Sequence, residues 1–274
     1  MRKFLVVAVI LLMITPALGV VPEPIYLTDQ NSVVVINNQG EIIYWQVDDL
    51  DHLSKISWYY RIGDAGGELP LGLLSGTLNK VEDTYAYRNY INPGVFEAKV
   101  SWSLTGGESG SGTSDIATTL RLTNKSQSTL SIRLFQCSDF GLSGTADDDY
   151  GTLERDVVIK QWDSTTTVCE SAMPQGILPT AWYIGPADTL WGWMEDDQPT
   201  TLPRTPEIGS TVGAGNLAWA FQWNFEIPAS GYVSVIISKD ILIHSTGAVP
   251  EPASLLTLCT GVIGLGGFIL RKRR

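Results

Sequence analysis

The sequence has few of the residues that most metal, redox and nucleic-acid sites need. Its 274 residues include only two histidines, three cysteines and 18 lysines and arginines, against 29 aspartates and glutamates. The formal net charge of -11 argues against nucleic acid as a partner, because no basic surface is available to displace counterions from phosphates. His52 and His244 are far apart and lie in no catalytic or metal-ligating motif, so a catalytic thiol–histidine pair is not indicated.

Charged residues of both signs are also scarce, at 17% of the chain against about 25% in an average soluble domain. Apolar residues make up 44% and aromatic residues 9%, including nine tryptophans. This composition excludes a disordered chain and supplies enough apolar surface for a buried core.

The N-terminus has the three parts of a secretory signal peptide. Arg2 and Lys3 give the positive start, and residues 4–14 form an apolar run that is too short to cross a bilayer. Pro16 ends any helix, and residues 17–19 include the small residues that a signal peptidase requires. We therefore predict a signal peptide over 1–19 and a mature protein that begins at Val20.

The C-terminus combines a proline motif, an apolar run and a basic end. The motif is Pro250, Glu251 and Pro252, and the apolar run starts at Leu255 and ends at Leu270. Sixteen helical residues would span roughly 24 Å, which predicts a transmembrane helix in a thin bilayer. By the positive-inside rule the basic end stays cytoplasmic and the rest of the protein lies across the membrane. The basic residues are Arg271, Lys272, Arg273 and Arg274.

This tail, residues 249–274, resembles the PEP-CTERM sorting signal of Gram-negative bacteria. The resemblance implies processing by an exosortase, which cuts near the Pro-Glu-Pro element after the helix has held the protein transiently in the inner membrane. It also implies export to the cell surface or the extracellular space, in bacteria that typically make exopolysaccharide. The alternative is a plain membrane anchor with an incidental Pro-Glu-Pro. The same tripeptide at 22–24 has no apolar span after it, so it does not fit the signal.

The body, residues 20–248, shows the period-two alternation of β-strands. In Leu217–Ile227 the odd positions are apolar or aromatic and several even positions are polar. No segment of similar length shows a helical period, and turn signals such as Asn92-Pro93-Gly94 separate the runs. The predicted strands are 33–37, 41–47, 55–62, 84–91, 96–104, 116–123, 129–137, 157–162, 165–170, 217–227 and 232–239.

These strands predict an all-β fold, a large antiparallel β-sandwich of jelly-roll-like type forming one domain. Two sandwiches meeting near 106–112 are the alternative. The body also resembles the β-rich ectodomains of PEP-CTERM proteins through residues 139–146, 218–223 and 237–240. That resemblance implies no particular activity.

The cysteines allow one disulfide in the exported body. Cys259 lies inside the terminal apolar run, which leaves Cys137 and Cys169 as a candidate pair in an oxidising compartment. Closing that loop would stabilise the fold by roughly 3–4 kcal/mol on the chain-entropy model. Two buried free thiols are the alternative.

Acidic residues give a weak calcium candidate, and no other cofactor is indicated. Asp147 and Asp149 lie in a Gly-containing loop, and hard carboxylate oxygens on a bent loop can bind calcium. The spacing does not fit an EF-hand, so a solvated acidic turn is the alternative.

Trp191 and Trp193 are the candidate glycan-binding residues, because exposed aromatic rings on β-sandwich loops can stack on sugar faces. A role in the core is the alternative. Glu154, Asp156, Glu170 and Glu195 could supply a glycosidase pair, but their spacing selects no two of them. The sequence therefore favours a non-enzymatic cell-surface or matrix protein associated with exopolysaccharide. The alternatives are a carbohydrate-binding module and a secreted polysaccharide-active enzyme.

Overall fold

The computed structural model describes residues 23–155, 157–172 and 176–244. The predicted signal peptide, the Pro-Glu-Pro motif, the predicted transmembrane helix and the basic end lie outside these residues. Within the described ranges, no helix has the length and apolar character needed to cross a membrane.

Of the residues that the structure describes, 60% are in strands and 7% in helices, which confirms the predicted all-β class. All eleven predicted strands coincide with observed ones. In chain order the strands are β1 Ile25–Asp29, β2 Ser32–Ile36, β3 Ile42–Val47, β4 Leu50–Asp51, β5 Leu53–Ile62, β6 Leu69–Pro70, β7 Leu78–Glu82, β8 Tyr85–Asn92, β9 Phe96–Gly106, β10 Thr113–Asn124, β11 Leu130–Phe140, β12 Asp149–Glu154, β13 Val158–Trp162, β14 Thr166–Ala172, β15 Ala181–Pro186, β16 Thr211–Gly215, β17 Leu217–Ile227 and β18 Tyr232–Ile243.

The strands form two large antiparallel sheets, which confirms the predicted sandwich. The first sheet has the order β1-β2-β3-β5-β11-β17-β15, with β4 paired to β3 and β6 paired to β5. The second has the order β16-β12-β13-β14-β18-β10-β9-β8-β7. Each sheet contains strands from before and after residues 106–112, and β5 pairs with β11 and β9 with β10 across that loop, so neither sheet is confined to one side of it.

Alternation of side chains explains why these segments form strands with one buried face. In β10 every second residue is buried, and β9 follows the same pattern from Phe96 to Leu104. The buried sets of the two sheets face each other and form the main core. Trp45, Trp102, Trp219 and Trp223 are fully buried in it, and Trp219 stacks on Phe140 with ring centroids 5.1 Å apart.

A second, smaller hydrophobic cluster lies on the outer face of the first sheet. It is covered by the α-helix α1, Ala187–Glu195, which the sequence analysis did not predict. Leu190 and Met194 of α1 are buried against outward side chains of β11 and β17, including Phe135 and Ala220.

The predicted Cys137–Cys169 disulfide is absent, because Cys137 is a free thiol. Cys137 belongs to the cluster under α1, on the outer face of the first sheet, whereas Leu134, three residues earlier on the same strand, faces the main core. On β14 Val168 faces the main core, so the next residue, Cys169, points to the outer face of the second sheet. The two cysteines therefore lie on opposite outer faces of the sandwich. Burial raises the pKa of the Cys137 thiol and makes it a poor nucleophile.

Candidate functional site

Trp191 and Trp193 leave α1 in different directions and each packs on the sheet. The Trp191 Nε1 donates a hydrogen bond of 2.7 Å to Asp139 Oδ2, and its ring lies between Lys55 Nζ at 4.9 Å and the Tyr59 ring at 6.4 Å. Trp193 packs edge-on against the Tyr183 ring, with ring centroids 4.8 Å apart. Both indoles are half-buried. Their contacts fix α1 to the sheet.

Partly buried charges surround the Trp191 ring. Asp139 is 9% exposed, and burial raises its pKa although the Trp191 and Ser54 side chains donate to its carboxylate. Glu41 accepts from the Ser57 hydroxyl at 2.9 Å and pairs with Lys55 at 3.3 Å. Glu41 and Lys55 therefore pair with each other, and the hydrogen bond from Trp191 to Asp139 ties α1 to the first sheet.

An exposed aromatic pair lies elsewhere, on the outer face of the second sheet. Tyr150 on β12 pairs across the strands with Trp162 on β13, and their rings are nearly parallel with centroids 6.0 Å apart. Tyr150 is 40% exposed and Trp162 is half-buried. Lys160 Nζ lies 5.3 Å from the Trp162 ring centre, and Glu154 is near enough to influence the Lys160 charge. We call Tyr150, Glu154, Lys160 and Trp162 the aromatic face.

Gly213 keeps one side of the aromatic face open. It lies opposite Tyr150 on β16 with a φ of +117°, a conformation that favours glycine. A Cβ at this position would lie 2.9 Å from Tyr150 Cα and 3.2 Å from its ring atom Cδ1. The absence of a side chain therefore leaves the Tyr150 ring uncovered on that side.

The structure does not bring the candidate glycosidase carboxylates together. Glu170 is fully buried between the two sheets, whereas Glu195 is an exposed residue at the end of α1 outside the first sheet. Glu154 lies at the end of β12 on the second sheet, and Asp156 lies outside the described residues. The described members of the set therefore share no cleft.

Asp147 and Asp149 have different environments. Asp147 is exposed, while Asp149 is fully buried at the start of β12 and accepts a 2.6 Å hydrogen bond from Gln161 Nε2. Burial raises the pKa of Asp149 to about 8, helped by the nearby charges of Asp163 and Asp148. Throughout the described part of the chain, no three His, Cys, Asp or Glu side chains are grouped so that they could hold a metal ion.

A fully buried polar network crosses the middle of the sandwich, and the sequence analysis missed it. Lys239 of β18 forms an ion pair with Glu170 of β14, with Nζ and Oε2 3.3 Å apart. Trp219 Nε1 donates to the same carboxylate at 2.5 Å, and the Ser138 hydroxyl donates to it at 3.0 Å. Strand alternation could have indicated it, because Glu170 and Lys239 each lie two residues after a core residue of the same strand, Val168 and Ile237, and therefore point to the same side.

Comparison with solved structures finds the same fold in sugar-active proteins. A bacterial glucoamylase complexed with acarbose aligns with a TM-score of 0.58 and 8% identity, over 86% of this chain and 32% of the glucoamylase. The GalM/aldose epimerase homologue from C. elegans aligns with a TM-score of 0.52 and 8% identity, over 81% of this chain and 99% of that one. A galactose mutarotase-like protein from Lactobacillus casei ATCC 334 aligns with a TM-score of 0.51 and 8% identity, over 81% of this chain and 100% of that one.

At such low identity these likenesses show the fold alone, and this chain spans about a third of the glucoamylase. No curated protein matches the sequence. One family model matches, the PEP-CTERM protein-sorting motif, over residues 248–274. This confirms the resemblance of the tail, which the sequence analysis placed at 249–274. The chain therefore carries a PEP-CTERM sorting motif behind a β-sandwich, and this motif implies an exported protein that exosortase processes and sorts to the cell envelope.

Proposed function

We propose that this is a non-enzymatic protein of the cell surface or extracellular matrix, associated with exopolysaccharide in a Gram-negative bacterium. The observation that carries the proposal is the position of the sorting motif, which starts at residue 248, just after β18 ends at Ile243. In this account residues 1–19 are removed on export and the tail spans the inner membrane transiently. The ectodomain, 20–248, is then released near Pro250, Glu251 and Pro252.

The second Pro-Glu-Pro in the chain provides a matched control for this proposal. Glu251→Ala changes the motif before the apolar run, and Glu23→Ala changes the same tripeptide near the mature N-terminus. Both full-length variants would be expressed in the native host and followed by fractionation. We expect Glu251→Ala to stay in the membrane fraction with its tail and Glu23→Ala to be processed like the wild type. Normal release of Glu251→Ala would contradict processing at this motif.

The aromatic face supports carbohydrate binding as the way in which the protein associates with the matrix. Tyr150 and Trp162 offer adjacent, nearly parallel ring faces, and Lys160 and Glu154 offer a donor and an acceptor for sugar hydroxyls. For this role the geometry favours Tyr150 and Trp162 over Trp191 and Trp193, because the latter are occupied by contacts with the first sheet.

Binding can be tested with exopolysaccharide purified from the host, by affinity electrophoresis of the mature protein. Removing both rings, Tyr150→Ala with Trp162→Ala, should weaken binding about tenfold, the scale of one or two ring contacts. The control is Tyr87→Ala, which removes another tyrosine that lies beside a lysine, Lys99 Nζ being 3.8 Å from its ring centre. Equal binding by both variants would contradict a role for the aromatic face.

The non-enzymatic part of the proposal has its own readout. Its support is the separation of the candidate carboxylates, with Glu170 inside the sandwich and Glu195 outside the first sheet. Incubation of the mature protein with the same exopolysaccharide should leave the chain length and the number of reducing ends unchanged. A fall in chain length that a Glu170→Gln or Glu195→Gln variant abolishes would support the polysaccharide-active alternative.

A further inference from the structure

The buried network between the sheets brings a lysine, a carboxamide and a carboxylic acid into contact. Lys239 is on β18 of the second sheet, Gln136 is on β11 of the first, and Glu170 is on β14 beside Lys239. All three are at most 1% exposed. A buried ion pair costs desolvation free energy that an apolar pair would avoid, so its presence at the centre of this core calls for an explanation.

The orientation of the Gln136 amide follows from its neighbours. With its oxygen toward Lys239 Nζ at 3.1 Å and Ser138 Oγ at 2.9 Å, and its nitrogen toward Glu170 Oε1, each contact pairs a donor with an acceptor. The Lys239 nitrogen therefore lies next to the amide carbonyl, and Glu170 touches both the amine and the amide nitrogen.

We propose that Lys239 and Gln136 condense into an isopeptide bond that joins the two sheets, with Glu170 transferring the proton. Glu170 first takes one proton from the Lys239 ammonium, and the resulting uncharged amine attacks Gln136 Cδ and forms the new C–N bond. The bond between Cδ and the Gln136 amide nitrogen then breaks. Glu170 gives its proton to the leaving nitrogen on its Oε1 side and takes the second Lys239 proton on its Oε2 side, so one ammonia leaves and Glu170 ends protonated. No oxidant, reductant or further reactant is consumed.

The surroundings supply what this step needs. Burial lowers the pKa of the Lys239 ammonium against the opposing effect of the Glu170 charge, which favours the nucleophilic amine. The Ser138 hydroxyl lies within hydrogen-bond distance of both Glu170 Oε2 and the Gln136 oxygen, so its one proton can turn from the carboxylate to the Gln136 oxygen as negative charge develops there. Trp219 Nε1 holds Glu170 Oε2 in place. The packed sandwich keeps all these groups within reach and excludes bulk water.

The bond would form without a partner enzyme, because the reacting atoms meet only after both sheets have packed. Its product is a covalent staple between β11 and β18. An exported protein exposed to the extracellular medium gains resistance to unfolding from it.

The test is mass spectrometry of the mature protein purified from the native host. We expect an intact mass lower by one ammonia than the processed sequence requires. We also expect resistance to trypsin after Lys239, and a branched peptide that joins the peptides containing residues 136 and 239. Because an asparagine succinimide also loses one ammonia, fragmentation of the branched peptide is the deciding measurement.

Variants separate the roles of the three groups. Lys239→Met and Gln136→Met should have no branch, and Glu170→Gln should keep the volume of the side chain but lose the branch. Lys99→Met, a change to an exposed lysine on β9 of the same sheet, should keep it. Recovery of unlinked peptides from folded wild-type protein overturns the proposal, and this measurement needs no variant to fold. A branch between Lys239 and Glu170 with loss of one water would also overturn it.

Discussion

Individual residues determine how this sandwich responds to pH. Asp149 is buried with a pKa raised to about 8, and among the described residues its Oδ1 has no hydrogen-bond partner. His52 is buried with a pKa lowered to about 4, mainly by desolvation. The two shifts act in opposite directions. The neutral form of Asp149 favours folding at low pH, whereas the neutral form of His52 favours it above about pH 6.5.

Asp149→Asn should therefore remove a pH dependence from the free energy of unfolding. The folded protein binds the Asp149 proton more tightly than the unfolded chain, whose aspartate pKa is about 4. The stability that this proton gives is complete below about pH 4 and is lost as the pH rises through about 8. Relative to wild type, Asp149→Asn should gain stability between pH 5 and 9, on the order of a few kcal/mol.

Urea unfolding at pH 5, 7 and 9 measures this effect, and the His52 contribution cancels because both proteins contain it. Asp148→Asn is the control, since Asp148 is an exposed neighbour of the same charge. Parallel pH profiles for wild type and Asp149→Asn would show that Asp149 is ionised in the folded protein.

At the scale of elements, α1 is the part of the fold that strand alternation did not predict. Ala187, Leu190 and Met194 have helical spacing, and Pro186 precedes the first of them. Nine residues are too few for a strong periodic signal, and the two indoles within them suggested a binding loop. The strands were predictable because buried and more exposed residues alternate along them, and in the long strands this alternation continues over eight to twelve residues.

Trp191→Phe should loosen α1 from the first sheet. Phenylalanine keeps an aromatic ring but loses the N–H that donates to Asp139, and removing one of the two side-chain donors of that buried carboxylate should cost about 1–3 kcal/mol of unfolding free energy. Trp193→Phe keeps an aromatic ring beside Tyr183 and should cost less. Equal losses in urea unfolding would mean that the Trp191–Asp139 bond does not hold the helix.

The polar network and the thiol show why the sites were harder to predict than the strands. Sequence can place Glu170 and Lys239 on the core side of their strands, but their contact with Gln136 depends on strand order across two sheets. Likewise, Cys137 and Cys169 were predicted to form a disulfide because they are the two cysteines of the body, but they lie on opposite outer faces of the sandwich. Proximity between sheets follows from topology, and strand alternation alone does not give it.

At the scale of the molecule, the protein joins a β-sandwich to a PEP-CTERM sorting motif. The sandwich places its aromatic pair on one outer face and its only described α-helix on the other. The tail follows the last described strand by a few residues, so the ectodomain would lie close to the membrane until it is cut.

The intact mass of the protein released by the native host tests the central claim most directly. The account predicts a chain that begins at Val20 and ends near Pro250-Glu251-Pro252, after allowance for any further modification that peptide mapping locates. A released protein whose mass still includes the segment from Leu255 to Arg274 would contradict processing by exosortase, and with it the proposed place of this protein at the cell surface.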